Sequence, residues 1–150
     1  MILLGYWTST VDEAKTAALL ARVADDNTQW ALLAMRRGDR VPRSVSETGL
    51  LYCPDRASQA LLLVDGPALL EVGTGSCGSI AALEVGLLRA HAILERAVPL
   101  PVARGRYQPS LLRRPGTKTI DYWHAVVRTP EGLVDPTVSL RQVCAAPEYA

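Results

Sequence analysis

The stretch Gly73-Thr-Gly-Ser-Cys-Gly-Ser79 joins a glycine-rich turn to a segment with helical periodicity. Apolar side chains recur three and four residues apart between Ser79 and Arg96. They are Ile80, Leu83, Leu87, Ala90 and Leu94. The pattern predicts the longest helix of the chain, with Cys77 at its amino-terminal end. A helix N-terminus favours the thiolate form of cysteine, so Cys77 is a candidate nucleophile.

The residues before this turn predict helices. Met1 to Trp7 is expected to be a first strand or a packed terminal arm. Thr10 and Glu13 have the capping-box spacing, which predicts a helix from about Val11 to Ala24, broken at Asp25-Asp26-Asn27. A second helix is expected from about Thr28 to Arg37, followed by a loop over 38–48. A further short helix is predicted over 55–64.

The residues after Pro99 have sequence features typical of strands. Strands are predicted at 102–107 and 120–128, separated by a proline- and arginine-rich connection over 108–118. A turn at 129–132 then leads to a partner strand at 133–135. The sequence therefore predicts a single α+β domain over 1–150, in which N-terminal helices and a central helix headed by Cys77 pack on a C-terminal antiparallel sheet.

The predicted hairpin brings a histidine and an aspartate together. If the turn has four residues, Arg128 faces Leu133, and Asp135 lies diagonal to His124 on the same sheet face. Diagonal neighbours are about 7–8 Å apart at the backbone, within reach of a carboxylate and an imidazole. A shift of one residue would place the two on opposite faces. The spacing thus favours Asp135 as the group that orients His124.

The other histidine and the other cysteines are weaker candidates. His91 lies fourteen residues beyond Cys77 on the same predicted helix, which is about 21 Å. It is expected to be a packed or partly exposed residue. Cys53 and Cys144 lack a glycine-rich helix entry and are expected to be small buried apolar residues. An odd number of widely spaced cysteines, without a C-x-x-C pair, favours a reducing compartment and predicts no metal site.

Composition and charge limit the classes of partner. Sixteen basic and fifteen acidic residues give a net charge of +1, so neither a nucleic acid nor an anionic membrane is expected as the main partner. The N-terminal apolar run is short and lacks a basic region, so neither a signal peptide nor a membrane span is predicted, and a cytoplasmic location is expected. These features predict no particular oligomeric state.

Four segments together resemble the transglutaminase-like superfamily of cysteine enzymes. They are Gly75-Ser-Cys-Gly-Ser-Ile-Ala-Ala82, Leu87-Leu-Arg-Ala-His-Ala-Ile93, Trp123-His-Ala-Val-Val127 and Gly132-Leu-Val-Asp-Pro-Thr137. The resemblance implies a papain-like fold with Cys77 as nucleophile, His124 as general base and then acid, and Asp135 as the orienting group. It implies a thiol peptidase, amidase or acyltransferase acting on a peptide or protein amide, without a cofactor. The chain departs from many members at Ser79 and Val126.

The oxyanion formed in such a reaction needs preorganised hydrogen-bond donors. The backbone N–H of Cys77, at the predicted helix start, is the natural first donor. The sequence leaves the second donor open among Gln29, Gln59 and Trp30.

Two alternative functions remain open at this point. Gly73-x-Gly75-x-x-Gly78 also fits the dinucleotide-binding fingerprint, and Leu69 to Ser76 is similar to the cofactor loop of S-adenosylmethionine-dependent methyltransferases, with Glu95 near the position of a ribose contact. Against this alternative, the chain after Glu95 is short for a doubly wound sheet. The second alternative is a binding or assembly module that keeps the papain-like fold without turnover.

Overall fold

A computed structural model describes residues 3–7, 13–54, 60–114 and 122–143 of the protein. Within them it forms an α+β fold with a small antiparallel sheet. The helices are α1 (Glu13–Arg36), α2 (Gly66–Val72), α3 (Cys77–Arg96) and α4 (Leu100–Arg106), with 3₁₀ turns at Val45–Glu47 and Pro136–Ser139. The strands are β1 (Leu3–Trp7), β2 (Leu51–Tyr52), β3 (Ala60–Val64), β4 (Thr74–Gly75), β5 (Gln108–Arg114), β6 (Tyr122–Thr129) and β7 (Gly132–Val134).

Helix α3 forms the centre of the core, as predicted. It has 20 residues against 24 in α1, so the prediction that it is the longest helix is wrong. One side of α3 packs on the second half of α1, on α2 and on the loop that follows α1, with Ile80, Leu83 and Leu87 fully buried. Another side packs on the first half of α1 and on β6. The predicted apolar face is confirmed except at Leu94, which is 39% exposed near the end of the helix.

Helix α3 is also long and apolar enough to span a membrane by length and composition. In the structure, however, 78% of its most apolar stretch is buried against the rest of the protein. This degree of burial is that of a core helix.

Helix α1 is continuous, so the predicted break at Asp25-Asp26-Asn27 is wrong. Tertiary contacts explain why the helix continues. Asp25 accepts a hydrogen bond of 3.0 Å from the buried guanidinium of Arg89 on α3. Asn27 is fully buried, and its Oδ1 accepts a 2.6 Å bond from the backbone N–H of Gly66. These partners outweigh the low helix propensity of the three residues.

The two long helices are in close contact at Gly86. A Cβ atom at this position would lie 2.6 Å from Cβ of Asn27, 2.9 Å from its carbonyl carbon and 3.0 Å from the backbone nitrogen of Thr28. Two of these three atoms belong to the backbone of α1, which cannot rotate away. Only glycine therefore allows this helix spacing.

The C-terminal sheet has the strand order β5-β6-β7 and is antiparallel. The strand predicted over 102–107 is wrong for 102–106, which lie in α4, and the connection predicted over 108–118 is wrong for 108–114, which form β5. Strand β6 and the hairpin are confirmed, and Arg128 pairs with Leu133 as expected. Residues 115–121, which include the predicted start of β6, lie outside the described part.

Two smaller pairs of strands complete the fold. Strands β1 and β3 are antiparallel, with Leu3 opposite Val64, so the predicted N-terminal strand is confirmed. The helix predicted over 55–64 is wrong for 60–64, which form β3, and 55–59 lie outside the described residues. Strand β2 lies parallel to β4, beside the turn that precedes Cys77.

A buried carboxylate connects α3 to the loop after α1. Glu84 is 8% exposed, and it accepts hydrogen bonds from the hydroxyl of Ser44, at 2.9 Å, and from the backbone N–H of Val45, at 2.7 Å. Burial raises the pKa of Glu84, and the two hydrogen bonds offset this effect only in part.

This raised pKa predicts a pH-dependent contribution to stability. Folded Glu84 binds its proton more tightly than the unfolded chain, whose carboxyl titrates near 4.5. The free energy of unfolding should therefore decrease as the pH rises from 4.5 through the folded pKa. In Glu84→Gln this decrease should be absent, whereas the exposed Glu71→Gln should behave like the wild type. Urea denaturation at several pH values checks this; identical profiles for the two variants would contradict it.

Candidate active site

The structure brings His124 and Asp135 into direct contact. Nε2 of His124 lies 2.7 Å from Oδ2 of Asp135, and both side chains are largely shielded from solvent. The hairpin register produces this contact: pairing ends at Val127 and Val134, so Asp135 follows on the face that carries His124. The diagonal arrangement predicted from the sequence is confirmed for these two residues.

The Asp135 carboxylate has a second partner that the sequence analysis did not assign. Its Oδ1 accepts a 2.6 Å hydrogen bond from the hydroxyl of Thr137 and a 3.0 Å bond from the Thr137 backbone N–H. Burial alone would raise the pKa of Asp135. The bonds from Thr137 and His124 outweigh that effect and hold the pKa below its ordinary value. The Asp-x-Thr spacing, typical of an Asx turn, was the available sequence signal.

The ionised state of Asp135 determines which nitrogen of His124 carries a proton. A carboxylate only accepts hydrogen bonds, so Nε2 must be the donor in this pair. In the neutral ring, Nδ1 is then the unprotonated nitrogen that can take up a proton. The pair has the arrangement of a general base whose tautomer is fixed by an acidic partner.

Cys77 is the first residue of α3, as predicted, and it is not part of a disulfide. The residue is partly exposed and packs against the core cluster that contains Ala125 and Val127 of β6. The first turn of a helix directs its N–H groups and the positive end of the dipole toward this position. Cys77 therefore lies at an electropositive helix end, on the helix that packs against the strand of His124.

Two backbone hydrogen bonds from β2 and the residue after it hold the turn before Cys77. The backbone N–H of Leu51 donates to the carbonyl of Gly73, and that of Cys53 donates to the carbonyl of Gly75. Gly73 has a φ of 85°, which ends α2 in the left-handed conformation that glycine tolerates. Ser76 precedes α3, but its buried hydroxyl makes no hydrogen bond within the described part of the chain.

The prediction for Cys53 is wrong, because Cys53 is partly exposed and disulfide-bonded. Cys144 lies outside the described residues. The widely spaced cysteines gave no hint of a disulfide, since spacing carries no information about distance in the fold. Disulfides persist mainly in oxidising environments, so Cys53 does not support the predicted reducing compartment.

His91 lies far along α3 from Cys77, as expected. Its Nδ1 contacts Glu95 at 3.1 Å, and its Nε2 lies 2.9 Å from the carbonyl oxygen of Pro42. Glu95 also accepts hydrogen bonds from Arg43, which hold the pKa of its carboxyl below the ordinary value. His91 therefore connects α3 to the preceding loop, at a cavity of about 700 Å³ lined by these residues.

No contact described in the structure places a candidate for the second oxyanion donor beside Cys77. Gln29 is exposed on α1, Trp30 packs against the core beside Gly66, and Gln59 lies outside the described residues.

The glycine pattern does not have the structural context of a dinucleotide-binding loop. That fingerprint follows a strand, whereas α2 directly precedes Gly73. The three-stranded sheet is antiparallel rather than doubly wound. Glu95, the proposed ribose contact, is instead bound to Arg43 and His91. These observations do not favour the methyltransferase alternative.

Comparison of the chain with known proteins gives no independent support for a function. No protein-family model, curated protein or solved structure matches it. Within residues 3–7, 13–54, 60–114 and 122–143, no group of three or more metal-ligating side chains is arranged to hold a metal ion.

Proposed function

We propose that the protein is a thiol hydrolase or acyltransferase of the transglutaminase-like type, acting on a peptide or protein amide through Cys77, His124 and Asp135. The contact that carries this proposal is the one of 2.7 Å between Asp135 and His124, and His124 lies on β6, the strand that packs against the Cys77 helix. A histidine oriented by a carboxylate, on a strand that packs against a helix beginning with a reduced cysteine, is an arrangement that supports covalent acyl transfer.

In the proposed reaction, Nδ1 of His124 takes the thiol proton, and the sulfur of Cys77 attacks the amide carbonyl carbon. The oxygen of the tetrahedral intermediate is stabilised by the Cys77 backbone N–H at the helix end. His124 then gives its proton to the leaving amine as the C–N bond breaks, which leaves a thioester on Cys77. Water, or a second amine, gives a proton to Nδ1 of His124 and attacks the thioester carbon. The C–S bond then breaks, the acid or new amide leaves, and His124 returns the proton to the sulfur.

Asp135 keeps its negative charge throughout this cycle. Its low pKa makes it an acceptor for Nε2–H, which favours the imidazolium formed when Nδ1 takes up the thiol proton. The His124–Asp135 pair thereby supports both the thiolate of the first step and the protonated leaving group of the second.

The first test is the reactivity of Cys77 toward iodoacetamide between pH 5 and 9, followed by mass spectrometry. An activated Cys77 should react at pH 6.5 about tenfold faster than a free thiol model such as glutathione, because more of it is thiolate. Cys77→Ser provides the control for labelling elsewhere in the chain. A Cys77 thiol that reacts like glutathione over the whole range would contradict the proposal.

Substrate screening then separates turnover from binding alone. Peptide, isopeptide and cell-wall amides should be tested with and without added amines, since hydrolysis and acyl transfer share the thioester intermediate. Cys77→Ala should abolish turnover with little effect on folding. A reactive Cys77 without turnover of any of these amides would favour the inactive binding module instead.

A further inference from the structure

The two oxygens of Asp135 have different partners. Oδ2 faces Nε2 of His124, while Oδ1 accepts two bonds from a single residue, Thr137. A carboxylate can rotate about its last side-chain bond and present either oxygen to a neighbour. Because Thr137 holds Oδ1, it keeps the other oxygen, Oδ2, directed toward the imidazole.

Thr137 is a buried hydrogen-bond donor. It is 5% exposed and lies in the 3₁₀ turn Pro136–Ser139, which packs against α3. A buried, charge-assisted hydrogen bond is stronger than one between neutral groups at the surface. The Thr137 hydroxyl can therefore influence both the direction and the charge of Asp135.

We propose that Thr137 is a positioning residue of the reaction, whose hydroxyl orients the Asp135 carboxylate so that it holds His124 in the Nε2-protonated tautomer. The inference rests on the proposed function, because the residue acts only through Asp135 and His124. It extends the triad to a fourth side chain that does not touch the substrate.

A purely structural role of Thr137 in capping the 3₁₀ turn predicts a different behaviour. The cap is already made by the Thr137 backbone N–H, which donates to Asp135. The same turn is closed by the hydroxyl of Ser139, which donates to the carbonyl of Pro136, and by the Leu140 N–H, which donates to the carbonyl of Thr137. Loss of the Thr137 hydroxyl alone should therefore leave the turn in place.

Few titratable groups besides His124 lie where they could affect the titration of Asp135. Among the described residues, His124 is the titratable side chain that interacts with the Asp135 carboxylate, and Thr137 supplies its remaining hydrogen bonds. The β7 residues before Asp135 are apolar, and the 3₁₀ turn after it carries no charged side chain. A change in the titration of Asp135 can thus be assigned to the hydroxyl.

The test compares Thr137→Val, which removes the hydroxyl at nearly constant volume, with Thr137→Ser, which keeps it. Ser139→Ala is the matched control, because it removes a hydroxyl from the same 3₁₀ turn without touching Asp135. Two quantities are measured for each protein: the pH profile of Cys77 alkylation, and the titration of the Asp135 carboxyl by ¹³C NMR. ¹⁵N NMR of the His124 ring reports its tautomer. If Thr137→Val does not fold, Thr137→Ala replaces it.

Thr137→Val should slow Cys77 alkylation near pH 6.5 about tenfold, raise the pKa of Asp135 and increase the share of the Nδ1-protonated tautomer. The acidic limb of its alkylation profile should move to higher pH, since a poorly oriented carboxylate supports the thiolate–imidazolium pair less well. Thr137→Ser and Ser139→Ala should resemble the wild type.

Two different failures can be told apart. If alkylation depends on His124 but Thr137→Val matches Ser139→Ala in rate, titration and tautomer, Thr137 has only a structural role and the proposed function stands. If alkylation of the wild type is independent of His124, the proposed function and this inference fail together.

Discussion

Replacing His124 by alanine should slow the alkylation of Cys77 at pH 6.5 by between about tenfold and a hundredfold. An unassisted thiol is only about 1% thiolate at this pH, which sets the upper limit. A thiolate of lower basicity is also a weaker nucleophile, which brings the expected factor below that limit. The measurement is the second-order rate constant for iodoacetamide, with the modified residue identified by mass spectrometry.

The other histidine of the chain provides a matched control. His91→Ala removes a ring that contacts Glu95 and the loop at Pro42, so it should lower stability without changing the labelling of Cys77. The alkylation rate of Asp135→Asn should fall between those of the wild type and His124→Ala. The amide can still contact Nε2, but it no longer supports the imidazolium. Equal rates for His91→Ala and His124→Ala would remove the basis for a catalytic unit.

The second large effect is expected from Gly86→Ala, which should destabilise the protein by about 3 kcal/mol. The added Cβ would lie against the α1 backbone at Asn27 and Thr28, so α1 and α3 must move apart. Typical domains have only about 5–15 kcal/mol of stability in total, so this loss is severe. Urea denaturation monitored by circular dichroism gives the free energy of unfolding directly.

Gly105→Ala is the matched control for this prediction. Gly105 lies in α4, and a Cβ there would meet no atom within 4 Å among the described residues. Alanine has the higher helix propensity, so this variant should be stabilised by about 0.5–1 kcal/mol. Similar stabilities for the two variants would show that the helix spacing at Gly86 is not constrained.

The parts of the fold that follow from local periodicity were predicted correctly. The apolar spacing after Ser79 identified α3, and the turn at Pro130 fixed the register that brings Asp135 to His124. A hairpin register depends on a few adjacent residues, so sequence alone is sufficient there. The contact between Thr137 and Asp135 is equally local, but its effect becomes visible only with the side-chain directions.

The errors occurred where distant residues decide the local structure. The continuity of α1 depends on Arg89 and Gly66, which lie far along the chain. The residues 102–107 are rich in small and basic side chains, and Pro101 in the first turn of α4 was the overlooked sign of a helix start. The disulfide of Cys53 likewise depends on a distance in the fold that sequence spacing does not give.

The contacts of the short strand β2 affect the order in which parts of the fold can form. Tyr52 bonds through its N–H to the Arg141 carbonyl and through its carbonyl to the Val143 N–H, while its neighbours Leu51 and Cys53 hold the turn before Cys77. A chain emerging from the ribosome cannot form the bonds between Tyr52 and residues 141–143 until residue 143 has left the ribosome. We therefore expect the backbone around the Cys77 turn to reach its final arrangement only after residues 141–143 have joined β2.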